Sequence, residues 1–257
     1  MRRLGFLAMA ILTTLPLGAF ADSLDSLFQK ANNAFWNGDY EAALKDYKRL
    51  DGLGVSDPTL SYNLGTAYAR LGKLGMAVQQ YERALRLDPG QDDARHNLSV
   101  LREFIARRAS EAGRDADLAP AAGPWRAVLD RFSSRGAALT FLVFHIALFL
   151  VLAIRRFVFA EMPRLSLGVL AGVLVVLTLF TGVVAVGKWY QDHYVKEAVV
   201  VADNQTSVME GPLSAVMRFA LEEGSRVTVV EENAAWVRVQ DSEGRDGWVP
   251  AESLGRI

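Results

Sequence analysis

Between residues 24 and 108 apolar and polar positions follow a helical period, and the pattern then repeats. Gly38-Asp39-Tyr40 precedes Ala43, Leu44 and Tyr47, while Gly72-Lys73-Leu74 precedes Ala77, Val78 and Tyr81, an offset of 34 residues. Apolar residues spaced by three and four lie on one helix face, so each copy reads as two amphipathic helices with Gly between them. The pattern predicts one helical pair over 24–57 and a second over 58–91, closed by Pro89, which cannot continue a helix. In the second pair Gly65, Ala77 and Ala84 allow close helix approach, and Tyr68 and Tyr81 fill the space between. A third start, "DDARHNL", runs on as "SVLREFIARR" without a turn, which predicts a capping helix over 92–108. One such pair cannot bury its apolar faces alone; two with a cap form about the smallest stable stack.

Beyond residue 108 the pattern changes three times. Residues 109–124 lack periodicity and are rich in Ala, Gly and Pro, as in a flexible linker. Trp125, Val128, Leu129 and Phe132 then fall at i, i+3, i+4 and i+7, predicting an interfacial helix over 125–135. Two uncharged apolar runs, 136–154 and 165–187, are each long enough to cross a hydrocarbon core. The segment 155–164 between them reads as a tight cytoplasmic loop, and Lys188-Trp189-Tyr190 supplies the charge and aromatic belt of a membrane surface. From 197 to 257, near-alternating segments such as "RVTVV" and "WVRVQ", separated by Gly/Asp/Glu/Asn turns, predict a small all-β barrel. The fold class is therefore multidomain: an all-α repeat stack, a two-helix transmembrane hairpin and a small barrel.

The N-terminus fixes the expected sidedness. Arg2-Arg3, an apolar run and Ala19-Phe20-Ala21 have the form of a secretory signal over 1–21, cleaved or kept as an anchor. Either way the following residues are exported, and two spans return the chain to the same side. The basic residues flanking the spans do not settle orientation, because Arg155, Arg156 and Arg164 are offset by Arg126, Arg131, Arg135, Lys188 and Lys196. The expectation is a membrane protein with both soluble parts extracytoplasmic. With 28 Lys and Arg against 29 Asp and Glu, there is no basic stripe for nucleic acid. The absence of cysteine removes disulfides, thiolate metal sites and thiol catalysis.

Candidate chemistry is sparse. His96, His145 and His193 lie in separate segments without metal-ligand spacing, and no phosphate loop or nucleophile elbow is present. Neither an enzyme nor a metal or other cofactor is expected. The acidic pairs Asp92-Asp93, Glu222-Glu223 and Glu231-Glu232 read as solvated charges at element ends. His145 sits mid-span, where a polar group is costly; it is either functional or a neutral hydrogen-bonding glue to Thr178 or Thr181. Gly168 and Gly172 make a G-x-x-x-G pair that permits close contact within the hairpin or with a partner helix.

Leu64, Gly65, Tyr68, Ala77, Tyr81, Ala84 and Pro89 fall where the tetratricopeptide repeat motif wants them, so the second copy resembles that family. The first copy is degenerate, with Lys30 and Ala31 where Leu and Gly are expected. The resemblance places first helices on a concave face, mapping a groove of Phe28, Asn32 and Phe35, then Tyr62, Asn63 and Thr66, then His96 and Asn97. Aromatics beside amides suit a peptide or protein surface, whereas the basic residues of a carboxylate-gripping groove are lacking. Val208 with Gly211-Pro212, Leu221 with Gly224 and Val227, Trp236 with Val239, and Gly247-Trp248-Val249 with Leu254 resemble the bacterial SH3 (SH3b) family. Trp236 and Trp248 are its candidate ligand surface, although Met209-Glu210 stands where that family often has Arg-Ser. The combination resembles the Bat-type aerotolerance proteins, in particular the BatE group. That resemblance implies a scaffold of the bacterial inner membrane, its soluble domains in the periplasm, acting with membrane-bound von Willebrand A-domain proteins and a MoxR-type AAA+ ATPase. Two other readings remain: a wall anchor whose barrel grips peptidoglycan, and a transporter or sensor using His145.

Overall fold

The computed structural model describes residues 17–114, 118 and 124–257, with side chains from Ser23 onward in the first helix and from Trp125 after the connecting segment. The signal segment thus falls mostly outside the described residues, as do 115–117 and 119–123 of the expected linker. The chain divides into two compact units, Met1–Val55 and Ser56–Ile257.

The first unit is a helical pair, α1 (Leu17–Trp36) and α2 (Tyr40–Gly52). Asp39 caps α2 by accepting from the Ala42 amide at 3.0 Å, satisfying a donor that the first turn leaves unpaired. Ala31, Ala43, Tyr47 and Leu50 form its buried seam.

The second unit opens with α3 (Pro58–Arg70) and α4 (Leu74–Leu87), followed by α5 (Asp92–Glu111). Asp57 caps α3 through the Leu60 amide at 2.9 Å, with Pro58 in the first turn where its missing N–H costs nothing. Small residues do what their positions suggest: a Cβ on Gly65 would lie 2.8 Å from the Tyr81 ring. Helix α5 is longer than the expected cap, and its continuation corrects the flexible-linker expectation in part. Arg114 is paired to Glu222 at 3.0 Å and Leu118 is buried.

A six-residue α6 (Pro124–Leu129) leads to α7 (Ser134–Phe157) and α8 (Glu161–Tyr194), two helices long and apolar enough to cross a membrane. The expected interfacial helix over 125–135 stops at Leu129. Leu129 of its apolar stripe is buried with Ala137 of α7 and Val184 of α8, Val128 and Phe132 are partly buried beside them, and Trp125 lies over Gly187 but stays exposed. Both apolar helices outrun the uncharged runs, so the 155–164 loop shrinks to 158–160. At the far end α8 continues past residue 187 because its polar residues find partners: Lys188 pairs with Asp192 at 3.3 Å and Gln191 donates to Asp130 at 3.0 Å. Lys188, expected at a membrane surface, is buried, whereas Trp189 and Tyr190 are exposed.

The remainder is a seven-stranded antiparallel sheet: β1 (Glu197–Val200), β2 (Gln205–Met209), β3 (Met217–Glu222), β4 (Arg226–Glu232), β5 (Trp236–Gln240), β6 (Asp246–Pro250) and β7 (Leu254–Arg256). Its order is β3-β2-β6-β5-β4-β1-β7. Ala198 and Val200 near one end of that order share a core with Leu221 at the other, together with Val208, Val227, Val237, Val239 and Val249. The sheet therefore curls onto itself, helped by register shifts at Val208/Met209 and Val229/Glu231, where bulges bend a strand.

Candidate functional site

The predicted groove residues sort into two matching clusters, one in each unit. In the first, the Phe28 and Tyr47 rings lie 6.0 Å apart and the Tyr47 hydroxyl donates to Asn32 Oδ1 at 2.7 Å. Phe35 packs on Tyr40, with ring centroids 5.2 Å apart. In the second, Tyr62 and Tyr81 lie 5.9 Å apart and the Tyr81 hydroxyl donates to Thr66 Oγ1 at 3.2 Å. Asn97 of α5 donates to the Tyr62 hydroxyl at 3.3 Å. Burial pushes the Tyr81 phenol above its ordinary range, opposed by its hydrogen bonds. The missed residues are Tyr47 and Tyr81, the second-helix tyrosines that fix the first-helix polar groups. Their offset of one repeat was readable, but which hydroxyl they address depends on helix rotation. Asn32, Thr66 and Asn97 are thus held within their own units, while Asn63 stays half-buried and His96 exposed.

The largest departure from the sequence reading is electrostatic. Glu222 and Glu223 were expected in solvent at a turn, yet both are buried, at 4% and 2% exposure. Lys73, at the N-cap of α4, makes no side-chain cap bond, and Glu223 supplies that cap from the sheet: its Oε1 accepts from the Gly75 amide at 2.7 Å. The other oxygen takes Arg108 at 2.7 Å. A carboxylate at a helix N-terminus is favoured by the exposed amides and the helix dipole. Only Gly fits at 75, since a Cβ there would lie 2.5 Å from the Val200 carbonyl oxygen. Gly224 has φ +82°, and a Cβ would press on Ile105 at 3.1 Å and Val78 at 3.2 Å. Nearby, Arg226 pairs with Glu197 at 2.5 Å and with Glu82 at 3.6 Å, and Arg126 also pairs with Glu197. Burial and the neighbouring Arg226 lower the Arg126 pKa from its ordinary value. Burial outweighs the Arg114 and Arg108 charges at Glu222 and raises its pKa. The sheet is thereby docked on α4 and α5.

On the outer face of β5 and β6, Trp236 is opposite Pro250 and Trp248 opposite Arg238. Both tryptophans are half-buried and outside the core, which the intervening Val237, Val239 and Val249 fill. Arg238 Nε donates to Asp246 at 2.8 Å and holds that carboxyl below its ordinary range.

The hairpin corrects two expectations. Thr181 Oγ1 donates to the Leu177 carbonyl of its own helix at 2.7 Å, and Thr178 Oγ1 is buried without a partner. His145 bonds neither; its ring stacks on Phe141 at 5.4 Å and meets Phe149 edge-to-face at 4.9 Å. Nor do Gly168 and Gly172 bring the helices together. A Cβ on Gly172 would meet nothing within 4 Å, and one on Gly168 would make only ordinary contact with Arg155. The close approach is at Gly182, where a Cβ would lie 3.2 Å from the Phe141 ring, because that face of α8 turns toward α7.

Comparison with known proteins agrees with the modules. Residues 59–91 match the family model of the tetratricopeptide repeat, and residues 211–255 match that of the bacterial SH3 domain. The chain carries a tetratricopeptide repeat and a bacterial SH3 domain. It is similar to the photosystem I assembly protein Ycf3 of Synechococcus elongatus, 27% identical over 112 residues, covering 42% of this chain and 65% of that protein. The same-named protein of Rippkaea orientalis is 27% identical over 115 residues, 43% of this chain and 66% of the relative. This chain therefore spans just under two thirds of the length of these relatives. The repeat and the SH3 domain point to protein–protein or peptidoglycan interaction.

Proposed function

We propose that the protein is a non-enzymatic adaptor of the bacterial inner membrane, holding protein partners on the extracytoplasmic side through its repeats and SH3 domain. The observation that carries this reading is the division of faces on the second repeat. The SH3 domain's hydrogen bonds to the repeat go to α4 and α5, whereas Tyr62 and Asn63 of α3 keep part of their surface in solvent and His96 of α5 is exposed. A pre-fixed aromatic next to amides suits a partner's backbone, since little side-chain entropy remains to be lost. The membrane assignment is supported by α7 and α8, whose apolar side chains are exposed along most of their length, a surface that water does not favour. The naming of the Ycf3 relatives as assembly proteins fits an adaptor role. The finer reading is a BatE-like component of a Bat/MoxR-type envelope complex, with von Willebrand A-domain membrane proteins and a MoxR-type AAA+ ATPase as partners.

The test is affinity capture of the full-length protein from detergent-solubilised membranes, with Tyr62→Ala/Asn63→Ala alongside. Loss of a specific partner from the double variant is expected; retention of every specific partner refutes the groove assignment.

A second reading, a wall anchor, rests on Trp236 and Trp248, which stand on the same outer face of the adjacent strands β5 and β6. It requires the full-length protein to sediment with purified sacculi and Trp236→Ala/Trp248→Ala to abolish this. Equal sedimentation of the two would rule that surface out.

A further inference from the structure

The turn that joins α7 to α8 carries cations that nothing in the described chain neutralises. Arg155 and Arg156 stand in the last turn of α7, Arg164 stands near the start of α8, and only residues 158–160 separate the two helices. All three arginines are exposed, and among the described residues none forms an ion pair or a side-chain hydrogen bond. Glu161, the one acid between residues 155 and 164, pairs with none of them, so the stretch keeps a net charge of +2, three arginines less one glutamate. Arg155 nevertheless has a fixed seat. Its guanidinium crosses to α8, where a Cβ on Gly168 would lie 3.6 Å from its Cζ and Nη2 and 3.7 Å from its Nε. Arg164 precedes Gly168 by four residues and so lies on the same face of α8. Two free cations thus share one face of the hairpin. Gly172, one turn further along that face, has open space where a Cβ would stand, beside exposed Leu165 and Val169.

The position of this face and its apolar surroundings identify the occupant. The uncharged run of α7 ends at Ile154 and that of α8 begins at Leu165, so the arginines bracket the end of the apolar hairpin. Phe157 and Phe159 are 76% and 84% exposed beside them. If the hairpin spans a bilayer, this turn is at the headgroup layer, where unpaired cations meet lipid phosphates and bare aromatic rings avoid water. A soluble anion would answer the charge but not the apolar surface. We infer that this face binds an anionic phospholipid, with phosphate oxygens on the Arg155 and Arg164 guanidiniums and an acyl chain along Leu165, Val169 and Gly172. The planar fork of guanidinium donors matches phosphate oxygens in pairs. Gly168 makes room for the Arg155 fork, because a bulky side chain there would stand where the guanidinium lies. The inference rests on the membrane reading of the hairpin.

The test uses the full-length protein. Carbonate washing of membranes asks first whether the chain is integral. Protein purified in mild detergent is then offered phosphatidylglycerol and phosphatidylcholine in equal amounts, and native mass spectrometry counts the lipids that stay bound. Wild type is expected to prefer phosphatidylglycerol about tenfold, and Arg155→Gln/Arg164→Gln to lose that preference, since one charge-assisted contact is worth about tenfold or more. Gly168→Leu keeps every charge but displaces the Arg155 guanidinium, so most of the preference should go. A role confined to bulk positive charge or to membrane orientation would leave that variant like wild type. Arg107→Gln removes an exposed charge on α5 and should change nothing. Equal retention of the two lipids by wild type, a full preference in Gly168→Leu, or an equal loss in Arg107→Gln overturns the inference. So does a melting shift with inorganic phosphate that Arg155→Gln/Arg164→Gln abolishes while no lipid is retained, since it assigns the arginines to a soluble anion. Release by carbonate defeats the membrane reading and the inference with it, whereas an integral chain without the preference defeats the lipid site alone.

Discussion

Gly75→Ala sets helix propensity against domain docking, and the two effects have opposite signs. In an isolated helix the change is favourable by about 1 kcal/mol. In this protein the new methyl would stand 2.5 Å from the Val200 carbonyl oxygen and 2.9 Å from Glu223 Cγ and Val201 Cα. Two of those three atoms are backbone, so a side-chain rotation cannot relieve the clash and the SH3 domain must back away. Overpacking of this kind costs about 1–3 kcal/mol. Backing away also weakens the charge-assisted bond from the Gly75 amide to Glu223, worth about 1.5–3 kcal/mol. Set against the propensity gain, docking should weaken by about 2–4 kcal/mol, roughly 30- to 1,000-fold. Hydrogen–deuterium exchange of the full-length protein in detergent reads this directly. Amides of β1 and of 222–225 should lose protection while the β5–β6 ladder, away from the contact, keeps it. Gly52→Ala, whose Cβ would meet nothing within 4 Å, serves as the control. If Gly75→Ala exchanges like wild type throughout and melts higher, the SH3 domain does not sit on α4 and the docked arrangement is wrong.

Three further outcomes follow from the same contacts. Glu222 has a raised pKa, so the folded state binds its proton more tightly than the unfolded chain, and stability falls as pH rises through and above the ordinary glutamate range. Glu222→Gln should flatten that segment of a melting-temperature-against-pH profile; an unchanged slope would mean that Glu222 is solvated. Gly182→Ile should part the hairpin by driving against Phe141, whereas Gly172→Ala should be silent. Disulfide trapping between introduced α7 and α8 cysteines reads this without background, the chain having no cysteine of its own, and equal trapping in both variants would contradict the packing. Tyr81→Phe removes the hydroxyl bond to Thr66 and should cost about 0.5–1.5 kcal/mol in chemical denaturation; no change would show that this bond contributes nothing.

Much of the architecture was legible because it is periodic. The 34-residue offset that relates Tyr47 to Tyr81 also places both hydroxyls on their first helices, and Gly65 lies against Tyr81 as the motif requires. The alternation in "WVRVQ" that marked a strand is seen in the burial, with Val237 and Val239 in the core and Trp236 outside it. The candidate site was less legible. Asn32 and Thr66 were marked as groove residues but are occupied inside their own helix pairs, and Asn97 reaches from α5 to the Tyr62 hydroxyl of α3.

Sequence by itself determined the element types, the two modules and the two apolar helices, because these follow from local period, small-residue placement and run length. What the tertiary structure alone decided is which surfaces meet. Glu222 and Glu223 are indistinguishable from solvated turn charges until α4 presents an uncapped N-terminus and α5 presents Arg108. Gly168 and Gly172 match a packing motif, yet the rotation of α8 hands the contact to Gly182. Charge partners and helix rotation are set by contacts between residues far apart along the chain, and a local pattern carries no information about them.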